Sequence, residues 1–84
     1  MSDIKLSPIR RDILLAADQP NGVIEDRWTY NKDGESQLRY LSTQGCLDRR
    51  IADARSSFQY RIFATERGRR LLEGEKVPEL TLEP

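Results

Sequence analysis

The sequence predicts an α+β fold, a three-helix core carrying a two-stranded β-hairpin. Three observations lead there. Apolar residues recur at spacings of three and four directly after Ser7-Pro8, which is helical periodicity behind a helix-opening pair. A leucine-spaced stretch closes on Gly45, a residue suited to the left-handed position that ends a helix. Two β-type segments, Leu47 to Ile51 and Phe58 to Ala64, stand six residues apart, close enough for a hairpin. At 84 residues the chain makes one small domain, expected over residues 1–74, with 75–84 as a short C-terminal tail.

Taken in order, Ser7 caps the free amides of a first helix over about residues 8–18, and Pro8 fits its first position. Ile9, Ile13, Ala16 and Ala17 form its inward stripe, widened by Leu14, and Pro20-Asn21-Gly22 turns the chain. Val23 to Tyr30 fits two readings. Ile24, Trp28 and Tyr30 alternate with polar residues as in a strand, but Ile24 and Trp28 also stand four apart as on a helix, and the balance goes to a short irregular helix. Trp28 and Tyr30 are read as packing residues. Asn31-Lys32-Asp33-Gly34 is taken as a second turn.

A second clear helix is expected from about Glu35 to Gln44, with Leu38 and Leu41 inward. Gly45 ends it and sets Cys46 against Leu41, so Cys46 reads as a small buried hydrophobe. In the hairpin, Leu47 and Ile51 share one face of the first strand, and Phe58, Tyr60 and Ile62 one side of the second. Thr65 caps a last helix from Glu66 to about Glu73, with Leu71 and Leu72 inward and Gly74 at its end.

Fourteen basic and fourteen acidic residues give zero formal net charge, but unevenly. Met1 to Asp48 carries −2, Arg49 to Arg70 carries +5, and Leu71 to Pro84 carries −3. Every cation of the middle block is arginine, whose forked guanidinium suits phosphate and carboxylate alike. With no histidine and one cysteine, no histidine base, multi-cysteine zinc site or intrachain disulfide can form. No glycine-rich phosphate loop is present, so the expectation is a non-enzyme with no metal and no cofactor. The longest apolar run, Ile13 to Ala17, is far too short to span a membrane, and a cytoplasmic setting is expected.

Helix, short element, helix, hairpin, helix is the order of a winged helix, and residues 38–72 carry a closer likeness. Leu38, Leu41, Gly45, Leu47 and Arg50, then Tyr60, Ile62, Thr65, Gly68, Arg69 and Leu72, resemble a pattern of MarR-like and PadR-like regulators. There a leucine-spaced recognition helix ends at glycine, an arginine-bearing strand enters the wing, and a Thr-x-x-Gly-Arg-x-x-Leu run leads into the next helix. The threonine lies closer to the tyrosine in those regulators than Thr65 does to Tyr60. The likeness covers about 35 of 84 residues. Where the regulators place a bracing helix, this chain has Val23 to Tyr30 with Glu25 and Asp26, which repel phosphate.

The resemblance implies double-stranded DNA as partner and a transcriptional regulator as function. Ser36, Gln37, Arg39, Tyr40, Thr43 and Gln44 are then the outward residues of the recognition helix, where arginine and glutamine can pair with guanine and adenine edges. Arg49, Arg50 and Arg55, with Ser56 and Ser57, are the wing's phosphate contacts. About four such arginines predict a log-log salt slope of roughly −3.6. Winged-helix regulators usually bind as dimers; with no long helix for pairing, the tail around Val77 to Leu82 or the first helix is left to join two copies. The alternative is a protein-interaction module, of the kind a phage- or plasmid-type inhibitor would use, gripping an acidic partner protein. Arg39, Arg49, Arg50 and Arg55 on one uninterrupted face favour DNA, whereas neutralisation by Asp48 and Asp53 favours a protein.

Overall fold

The computed structural model describes residues 2–53 and 59–80. Its elements run α1 (Pro8–Ala17), β1 (Val23–Ile24), α2 (Asp26–Thr29), α3 (Lys32–Thr43), β2 (Leu47–Asp53), β3 (Gln59–Ala64) and α4 (Glu66–Leu72). The result is an α+β body of four helices and a three-stranded antiparallel sheet in the order β1-β3-β2.

Local signals start and stop the helices. Ser7 Oγ accepts from the Arg10 amide, and Pro8 takes the first turn of α1. Thr65 Oγ1 accepts from the Gly68 amide at the start of α4. At the end of α3 the Cys46 amide donates to the Leu41 carbonyl at 2.9 Å and the Gly45 amide to that of Ser42 at 3.1 Å, with Gly45 at φ 75°. These are the paired bonds of a Schellman closure, in which a β-carbon at the glycine position would be strained. Leu41 and Cys46 are both fully buried, so the expected contact across the cap lies in the core.

Three expectations are corrected. The helix expected from Glu35 begins at Lys32, because Asn31 caps it by accepting from the Gly34 amide at 2.7 Å; the supposed turn is a helix start. Val23 to Tyr30 is both of its readings in succession. Val23 and Ile24 pair with Ile62 and Arg61, adding a third strand to the hairpin, and a single helical turn then buries Trp28. Tyr30 packs against nothing extensive, being 79% exposed. Ile51 shares the face of Leu47, as expected, and is 55% exposed there opposite Tyr60.

The sheet register separates two faces. Leu47 lies opposite Ala64 and Arg49 opposite Ile62, and this face meets the helices, with Leu47, Ile62 and Ala64 buried. Arg50 lies opposite Arg61, and with Phe63 they make the other face, on which none of the three is buried. The stretch after α4 joins the body as far as Leu80. The Ile4 amide donates to the Val77 carbonyl at 2.8 Å, the Glu79 amide to that of Ser2 at 2.9 Å, and Val77 enters the core.

Candidate nucleic-acid interface

Helix α3 turns Gly34, Leu38 and Leu41 into the core. On its far side Ser36, Arg39 and Thr43 are exposed at spacings of three and four, one continuous stripe. The other three residues expected to face outward are occupied. Gln37 accepts from Arg10 Nε at 2.7 Å and reaches Asp33 at 3.5 Å. Tyr40 lies under the Arg10 guanidinium, 4.0 Å from the ring centre, and donates its hydroxyl proton to Glu79 at 2.7 Å. Gln44 is buried, its amide oxygen accepting from the Leu80 amide at 2.6 Å. The physical reason is shared: α1 and the chain after α4 lie along that flank and satisfy these polar groups.

On its other flank α3 borders a cleft of about 340 Å³ lined by Glu25, Thr29, Glu35, Arg39, Ser42 and Arg49. The geometry there is set by one ion pair. Arg49 grips Glu25 with both prongs of its fork, at 2.8 and 2.7 Å, and stacks on Tyr60 at 3.6 Å. The Glu25 side chain is only 11% exposed, so its charge needs this partner. The bond to Glu25 holds the Arg49 guanidinium even more firmly protonated than usual. Nothing in the local spacing announces this pair, whose members are 24 residues apart.

The remaining candidate cations are tied loosely. Arg39 meets Glu35 one turn away at 2.9 Å, and Arg50 meets Asp48 at 2.8 Å, all four side chains being well exposed. Exposed pairs of this kind contribute about 0–1 kcal/mol, so either arginine can exchange its carboxylate for another anion. Arg49 and Arg50 do not share a face, since neighbours on a strand point to opposite sides. Arg55, Ser56 and Ser57 lie outside the described residues. The described arginines expected on the wing, Arg49 and Arg50, are thus divided between two surfaces, and each carries a carboxylate.

No family model, curated protein or solved structure matches the chain. What the interface can do therefore rests on its own chemistry. Burial pushes the Cys46 thiol up, away from the reactive thiolate. Among the described residues, no group of three acidic or cysteine side chains is arranged to hold a metal ion, and no helix is long and apolar enough to cross a membrane. Of the six residues expected to face outward from this helix, Ser36, Arg39 and Thr43 stay exposed, beside a cleft of mixed charge.

Proposed function

We propose that the chain is a winged-helix protein that binds double-stranded DNA as a transcriptional regulator, with α3 as the helix that enters the major groove. The observation that carries the reading is the stripe Ser36, Arg39, Thr43, exposed on the helix that immediately precedes the hairpin. A helix with one exposed face of this kind fits the major groove, and arginine and short hydroxyl side chains are suited to base edges. The order helix, strand, helix, helix, hairpin, helix supports the same reading, as does the likeness of residues 38–72 to MarR-like and PadR-like regulators. Arg49 serves the fold in this account and Arg50 faces away, leaving Arg39, which meets a phosphate where the duplex presents no cognate base, and Arg55 on the expected wing as the cations set against the backbone. About two phosphate contacts bring the salt slope to roughly −1.8.

One observation favours a second reading, a protein-interaction module using the same face. Glu25 and Glu35 line the cleft beside Arg39 and Arg49, a mixture of charge that suits a protein surface better than a rank of phosphates. Fluorescence anisotropy with a random-sequence duplex at low salt separates the two. DNA binding predicts micromolar or weaker affinity that falls several-fold in Arg39→Gln, with Glu35→Gln strengthening it. Absence of binding at low salt in the unaltered chain ends the DNA reading and leaves the protein partner.

A further inference from the structure

The face of the sheet turned away from the helices is organised, and nothing in the DNA reading uses it. Arg50 and Arg61 sit directly opposite each other across β2 and β3. Like charges at opposed positions oppose strand pairing unless an anion bridges them. One carboxylate is at hand: Asp48 bonds Arg50 at 2.8 Å. Arg61 donates from its Nη1 to the Asn21 carbonyl at 3.0 Å. The Arg50 guanidinium lies over the Phe63 ring at 4.8 Å, so one prong is braced against an aromatic wall.

Arg50, Arg61 and Phe63 line a cleft of about 450 Å³ together with Pro20, Asn21 and Ile51, and among the described side chains no carboxylate lines it. The wall opposite the hairpin is the turn ending at Gly22, held by a Gly22 amide to Gln19 carbonyl bond of 2.9 Å. Gly22 adopts φ 61°, and a β-carbon there would strike the Ile62 carbonyl oxygen and crowd the Phe63 ring. The absence of a side chain at that position lets the turn close against the sheet.

We infer that this cleft is a docking site for an acidic segment of a partner protein, one carboxylate bridging Arg50 and Arg61 and a neighbouring apolar side chain lying on Phe63 and Pro20. Charge complementarity selects the occupant. Among the described side chains, two guanidinium groups against Asp48 leave a local excess of one positive charge, and Phe63 and Pro20 supply apolar wall beside the polar Asn21. One carboxylate next to one apolar group matches that pattern, whereas a nucleic-acid strand would bring successive phosphates past Asp48. The inference does not depend on what α3 binds, because Arg39 lines a different cleft.

The test is an NMR titration of the ¹⁵N-labelled full chain with an end-blocked Glu-Leu-Glu-Leu peptide. The Gln-Leu-Gln-Leu peptide and a single-stranded oligonucleotide are run in parallel. Docking predicts saturable shifts of the Arg50, Ile51, Arg61 and Phe63 amides, with binding of the neutral peptide weaker by about tenfold. Arg50→Gln and Arg61→Gln, each checked for an unchanged overall spectrum, should weaken the acidic peptide at least about fivefold, and Arg39→Gln should not. Having two variants keeps the test sound if one fails to fold. Absence of shifts at those amides overturns the inference, as does equal binding of the neutral peptide. So does tighter binding of the oligonucleotide at the same amides, or dilution-dependent shifts without peptide, which would make a second copy the occupant. Duplex binding measured in parallel reports on α3 separately.

Discussion

Arg49 and Arg50 are neighbours in the chain and occupy opposite situations. Arg49 faces the helices, with both prongs on a nearly buried carboxylate and an aromatic ring beneath it. Arg50 faces outward, tied to an exposed aspartate two residues away and opposed by a second arginine. The same side chain is thus a structural brace in one place and an exchangeable ligand in the other. Burial of the partner decides which: a carboxylate removed from water holds its cation, and an exposed one holds it weakly.

The largest expected effect falls at Ile62, which is fully buried and pairs with Val23 on one side and Arg49 on the other. Ile62→Ala should cost about 2–5 kcal/mol in urea denaturation. The two arginine environments are then set against each other directly. Glu25→Gln should cost about 1–3 kcal/mol, since it removes two charge-assisted bonds. The half-exposure of Arg49 keeps that loss below the range for a fully buried pair. Asp48→Asn should cost no more than about 1 kcal/mol by the same measurement. Equal costs for the two substitutions would erase the distinction.

A smaller effect concerns the flank of α3 covered by the chain after α4. Burial first, and then the bond to Glu79, raise the Tyr40 phenol above its ordinary value near 10. The folded state therefore favours the protonated phenol. Its contribution is complete below about pH 10 and is lost as pH rises through the folded value. Stability should fall with pH in that alkaline window, and Tyr40→Phe should remove this part of the fall while costing about 1 kcal/mol at neutral pH. An unchanged alkaline slope in Tyr40→Phe would place the loss elsewhere.

What was legible in the sequence was local. Ser7-Pro8, Thr65 and the Gly45-Cys46 closure act on amides within a few residues of themselves, and each behaves as its chemistry suggests. The Asn31 cluster shows the limit of that reading, since a residue that favours turns also favours helix caps. β1 was out of reach because two residues become a strand only when Ile62, far along the chain, is beside them. The outward residues of α3 failed for a similar reason. Gln37, Tyr40 and Gln44 do lie off the apolar stripe, but Arg10, Glu79 and Leu80 come from elsewhere to claim them. The division of Arg49 from Arg50 was legible in strand alternation alone, and grouping them by charge hid it.

The most direct test of the account is the salt dependence of duplex binding. A random-sequence duplex titrated from low to physiological salt should give a log-log slope of roughly −1.8, reduced by about 0.9 in Arg39→Gln. Arg49→Gln should leave the slope unchanged. Absence of binding at low salt, or a slope that drops in Arg49→Gln and not in Arg39→Gln, would contradict the assignment of α3 as the DNA-facing helix.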